Sequence, residues 1–101
     1  MKSFISLLLL LASLQAKEYI VDQKDKTFLP GTLHVKVGDT ITFKNSDSFV
    51  HNAYTDDGAN EFDIGMQKED TAKSVKVKAA TNFNVHCAIH PNMLIKVQVS
   101  K

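Results

Sequence analysis

The stretch Leu33-His34-Val35-Lys36-Val37-Gly38-Asp39-Thr40-Ile41-Thr42-Phe43-Lys44 decides the fold. Apolar and polar side chains alternate from Leu33 to Val37, break at a Gly-Asp turn, and alternate again from Thr40 to Lys44. A period of two marks a strand with one buried face, because successive side chains leave a pleated strand on opposite sides. The same signal recurs at Glu18 to Asp22, Val50 to Thr55, around Phe62, Ser74 to Lys78, Asn82 to Cys87 and Ile95 to Val99. Turn residues separate these runs, as at Ser46-Asp47-Ser48 and Asp56-Asp57-Gly58, and no helical period is sustained. The pattern predicts an all-β chain: a Greek-key β-sandwich of seven to eight short, antiparallel strands.

The 101 residues make one domain, preceded by a segment of different character. Lys2 is followed by a nearly unbroken apolar run from Phe4 to Leu14, with the small residue Ala16 behind it. At roughly 11 residues the run is far short of the ~20 that cross a bilayer as a helix. It reads as a secretory signal peptide over 1–16, cleaved to leave a domain over 17–101. The chain contains no arginine, which excludes a twin-arginine signal, and no cysteine follows the run to carry a lipid anchor. About 85 residues remain, enough for a single core. An exported, periplasmic, monomeric protein with no membrane anchor is expected.

From Lys17 onward eleven lysines face eleven acids, so nothing in the charge calls for nucleic acid or an anionic membrane. The single cysteine, Cys87, has no partner for an internal disulfide. In an oxidising compartment a free thiol is a liability, whereas metal ligation gives it a purpose. Its surroundings favour that reading: Cys87-Ala88-Ile89-His90-Pro91-Asn92-Met93 places a thiolate, an imidazole and a thioether within seven residues.

Strand alternation sorts the four histidines. Leu33, Val35 and Val37 share the buried face of their strand, which leaves His34 beside Lys36 in solvent. Phe83, Val85 and Cys87 share one face of the next-to-last strand, so His86 points away from Cys87. His51 and His90 remain. With Cys87 they form a His₂Cys plane, and Met93 supplies a weak axial thioether, the donor list of a type 1 copper site. Zinc accepts cysteine and histidine, but its structural sites carry more thiolates and a thioether suits it poorly. Met66, with no donor at ligand spacing, reads as a packing residue. Pro91 stiffens the loop after His90. The uncharged Ala88, Ile89, Pro91, Asn92 and Leu94 would frame His90 as a docking patch for redox proteins.

These residues resemble the cupredoxins: plastocyanin, pseudoazurin and amicyanin. Phe28-Leu29-Pro30 and Leu33 to Asn45 resemble the family's early strand pair, and His51-Asn52 its first ligand and the neighbour that ties two loops together. Cys87-x-x-His90-x-x-Met93 resembles the ligand loop, with amicyanin's gap before the methionine. The resemblance implies a cupredoxin fold and a one-electron carrier cycling one copper ion between Cu(I) and Cu(II). It also implies that the Asn52 N–H hydrogen-bonds the Cys87 sulfur and tunes it. His86 departs from the pattern, standing where an aromatic residue often precedes the cysteine. Copper binding, buffering or delivery is the alternative function, although the extra Met or His clusters that accompany such roles are missing from the sequence. A cysteine-nucleophile enzyme would pair Cys87 with His90 but leave Met93 without a role. The chain is therefore read as no enzyme.

Overall fold

The computed structural model describes residues 15–101, so the expected signal peptide over 1–16 lies, except for its last two residues, outside the described residues. Nine strands form: β1 (Glu18–Lys24), β2 (Thr27–Leu29), β3 (Thr32–Lys36), β4 (Thr40–Asn45), β5 (His51–Thr55), β6 (Phe62–Gln67), β7 (Ala72–Lys76), β8 (Phe83–His86) and β9 (Leu94–Ser100). A short 3₁₀ turn, Gly58–Asn60, sits between β5 and β6. The strands divide into a four-stranded sheet, β2-β1-β4-β7, and a five-stranded sheet, β3-β9-β8-β5-β6.

The alternation that predicted the fold is what closes the sandwich. Leu33 and Val35 of β3, Ile41 and Phe43 of β4, Phe83 and Val85 of β8, and Ile95 and Val97 of β9 are all buried. Apolar side chains from both sheets meet in one core cluster with Val21, Phe28 and Val77. Removing this apolar area from water is the main drive for the fold. Within the core, Phe28 and Phe43 pack edge to face with centroids 6.1 Å apart.

The structure corrects four expectations. There are nine strands among the described residues, because β2 is only three residues long, with Phe28 its one buried side chain, too short to show a period. The sheets are mixed: β1 runs parallel to β4 and β3 parallel to β9, the other pairings being antiparallel. Periodicity reports which face is buried and carries no information on strand direction, so this was not legible. Met66, expected as a packing residue, is 60 % exposed, and Val37, expected in the core, is 42 % exposed beyond the end of β3.

Candidate metal centre

Sheet order brings the candidate ligands to one end. β5 lies beside β8 and antiparallel to it, with Tyr54 opposite His86. His51, which opens β5, and Cys87, which follows the last residue of β8, therefore meet at the same edge. The loop from Cys87 to Met93 then turns back into β9, closed by a hydrogen bond from the Met93 N–H to the His90 carbonyl (3.0 Å).

At that edge the donor atoms of His51, Cys87 and His90 all lie within 4.8 Å of one another. The Nδ1 atoms of His51 and His90 are 3.1 Å apart, and Cys87 Sγ is 3.7 Å from His90 Nδ1. Around a first-row ion such as zinc, nitrogen bonds of ~2.0 Å and a sulfur bond of ~2.3 Å at near-trigonal angles set donors roughly 3.1 to 3.7 Å apart. The spacing thus fits one ion. His51, Cys87 and Met93 are buried, and His90 is half-buried at the rim. A thiolate and two imidazoles, with the buried Met93 thioether three residues past His90 in the same loop, are soft and borderline donors, the chemistry of copper and not of magnesium or calcium.

The other candidates fall as the alternation indicated, with one refinement. His34 is exposed on β3 and belongs to no donor group among the described residues. His86 leaves the face opposite Cys87 but is half-buried, its ring packed on Tyr54 at 5.6 Å. Asn52 is buried, and its side chain ties the loop after β8 to strand β6. Its Oδ1 accepts from the Ala88 N–H (3.2 Å), and its Nδ2 donates to Asp63 Oδ1 (2.9 Å) and the Gly65 carbonyl (3.0 Å). The residue after Cys87 is thereby pinned to the β5–β6 edge, where the register shifts past Asn52 and Gly65 takes a φ of +76°.

Two residues at the site escaped the sequence reading. Asp47 sits in the loop before β5, buried, with Oδ2 2.7 Å from His51 Nε2. Phe49 packs its ring against both histidines, 5.2 Å from His51 and 5.6 Å from His90, with the Lys26 ammonium over the ring, 5.4 Å from its centroid. The only available signal was spacing, an acid four residues before a candidate ligand, and a polar loop hides it.

Electrostatics suit a site ready for a cation. Burial raises the Asp47 carboxyl, but hydrogen bonds from His51 and from the N–H groups of Lys26 and Asp25 outweigh it and bring the pKa to about 2. Burial, His51 and Lys26 together hold His90 below the ordinary imidazole range, against the opposite pull of Asp47. A neutral imidazole is the form that binds metal.

Comparison with known proteins agrees with this geometry. Residues 15–100 match the family model described as copper binding proteins, plastocyanin/azurin family. Amicyanin of Paracoccus denitrificans is 35 % identical over 83 residues, covering 79 % of this chain and 63 % of that protein. Plastocyanin of Vicia faba is 34 % identical over 74 residues, covering 62 % of this chain and 75 % of that protein. A solved amicyanin variant in the Cu(I) form superimposes with a TM-score of 0.76 at 31 % identity, covering 88 % of this chain and 89 % of that one. A copper-containing nitrite reductase from Thermus scotoductus shares the fold at 23 % identity, this chain spanning 22 % of its length. The chain belongs to the plastocyanin/azurin family of copper-binding proteins, the cupredoxins, and its cofactor is a single type 1 copper ion.

Proposed function

We infer that this chain is a periplasmic one-electron carrier in which His51, Cys87 and His90 hold copper in a plane and Met93 is its weak axial ligand. The observation that carries the reading is the convergence of one thiolate and two imidazoles within 4.8 Å at the end of a packed sandwich. Copper so held supplies a Cu(I)/Cu(II) couple. The protein's part is to keep the donors still. His51 is fixed by a sheet, Cys87 by the Asn52 bridge to Ala88, and Met93 by burial, so little has to move when the charge changes.

His90 is the route in and out. It alone of the three donor residues is half-buried, and the exposed Ala88, Ile89, Pro91, Asn92 and Leu94 flank it along the chain. Phe49, 39 % exposed, widens that surface, with the Lys26 ammonium over its ring. Redox proteins are the partners such a surface suits, and four donors leave no position for a substrate, which favours a carrier over an enzyme. The leader over 1–16 and export to the periplasm belong to the same proposal.

Addition of Cu(II) to the purified metal-free protein tests it. An intense thiolate-to-copper band is expected, with rapid reduction and reoxidation by small redox proteins in stopped flow. A protein that binds copper and stays colourless overturns the type 1 reading. Sluggish exchange with ready copper release overturns the carrier reading in favour of copper handling. N-terminal sequencing of the exported protein should begin near Lys17.

A further inference from the structure

The network under His51 reaches back to the β1–β2 hairpin, a part of the chain that supplies none of the candidate ligands. Asp25 and Lys26, the two residues joining β1 to β2, hold φ of 53° and 57°. Positive φ at both positions is the turn form that matches strand twist, and it is normally the preserve of Asn and Gly. Both N–H groups of this turn converge on one acceptor: Asp25 donates to Asp47 Oδ1 (2.8 Å) and Lys26 to Asp47 Oδ2 (3.1 Å). Asn45 holds the other side of the loop. Its Oδ1 accepts the Asp47 N–H (2.8 Å), and its Nδ2 donates to the carbonyls of Phe49 (2.9 Å) and Gln67 (3.0 Å). Asp47 is thus buried and immobilised, and Oδ2 also meets His51 Nε2 at 2.7 Å.

A carboxylate accepts hydrogen bonds and donates none, so Nε2 of His51 carries a proton, and in the neutral ring Nδ1 is the nitrogen that keeps its lone pair. That lone pair faces His90 Nδ1, 3.1 Å away on the side of Cys87. We propose that Asp47 is the positioning residue of the metal centre: it selects the Nε2–H tautomer of His51, fixes the ring, and strengthens Nδ1 as a donor. A histidine that donates its second nitrogen to a carboxylate is a more basic ligand. Such a ligand favours Cu(II) over Cu(I), so Asp47 holds the reduction potential below the value a neutral partner would give. The proposal rests on the reading of His51 as a ligand, and its test separates the two.

Asp47→Asn and Asp47→Ala are compared with the unmodified protein, with Asp39→Ala as a control for the loss of a buried, backbone-bonded aspartate elsewhere. In the metal-free proteins, ¹⁵N shifts of the His51 ring report the tautomer: Nε2–H in the unmodified protein, a mixture in Asp47→Ala. With copper, chelator competition should show Cu(II) affinity lowered by ~10-fold to ~100-fold in both Asp47 variants, with the thiolate band retained. A loss falling tenfold more on Cu(II) than on Cu(I) raises the potential by about 59 mV. Asp47 variants that fold and keep the original tautomer, affinity and potential overturn the proposal. So does an Asp39→Ala variant whose potential moves as far as that of Asp47→Asn. Should Asp47→Ala fail to fold, the near-isosteric Asp47→Asn decides. If the unmodified protein takes no copper, the carrier reading falls, and the tautomer measurement alone decides what Asp47 does to His51.

Discussion

The two ends of the β1–β4 pair are each fastened by a buried aspartate, and they differ in one bond. At the end away from the ligands, Asp39 precedes β4 and accepts the N–H groups of Lys17 (3.0 Å) and Lys36 (2.8 Å). Its own backbone bonds Lys36 and Val77, closing the β3–β4 turn onto the segment after β7. At the ligand end, Asp47 follows β4 and accepts the N–H groups of Asp25 and Lys26. The device is the same: a short anionic side chain gathers backbone donors that the strand ladder leaves unpaired. Only Asp47 also meets a histidine, His51. One aspartate therefore serves the fold alone, while its counterpart joins the fold to the metal centre.

The largest effect that breaks this symmetry is at the ligand end. Cys87→Ser should abolish the visible thiolate-to-copper band while the circular dichroism of the sandwich stays unchanged. A variant that remains blue would remove Cys87 from the ligand set. Asp39→Ala should do the reverse. Stranding two N–H groups costs up to ~1 to ~3 kcal/mol for each, measured by urea unfolding, with the band and potential in place. A shifted potential there would show that the two ends are coupled.

Acid should dissolve both fasteners in the metal-free protein. Hydrogen bonding, working against burial, holds Asp39 and Asp47 below the ordinary carboxylate value. A carboxylate whose folded pKa is depressed contributes stability above its unfolded pKa and loses it as pH falls through the folded one. For Asp47 that window runs from 3.8 down to about 2. Unfolding midpoints followed across it should fall steeply, and less so in Asp47→Asn. The smallest effect belongs to the far-end turn. Gly38 sits at φ +96° with open space where a Cβ would lie, so Gly38→Ala costs conformational strain alone, ~1 to ~2 kcal/mol. It should leave the spectrum untouched.

Legibility followed the same divide. β3, β8 and β9 were readable because each buries one face of alternating side chains, and β4 because Ile41 and Phe43 alternate with polar residues even though Thr42 is buried too. β5 is less so: His51, Asn52 and Ala53 are buried in succession, since this inner strand is covered on both faces near the metal centre. The register change between β5 and β6 and the exposure of Met66 left no mark in the period of their segment. His51, Cys87 and His90 were legible as candidates from donor chemistry and spacing, and their donor atoms do lie within 4.8 Å of one another. Asp47, Asn45 and Phe49 were not, because nothing in a polar stretch of sequence shows that Asn45 and Asp47 are buried or that Phe49 lies on the two histidines.

The sequence by itself determined which faces go inside and which donor atoms exist, since side-chain period and ligand chemistry are local properties. Strand direction, the meeting of His51 with Cys87, and the reach of the 25–26 turn to Asp47 were decided only by the tertiary structure. Those depend on which strands become neighbours, and the parallel pairing of β1 with β4 joins residues more than twenty positions apart in the chain.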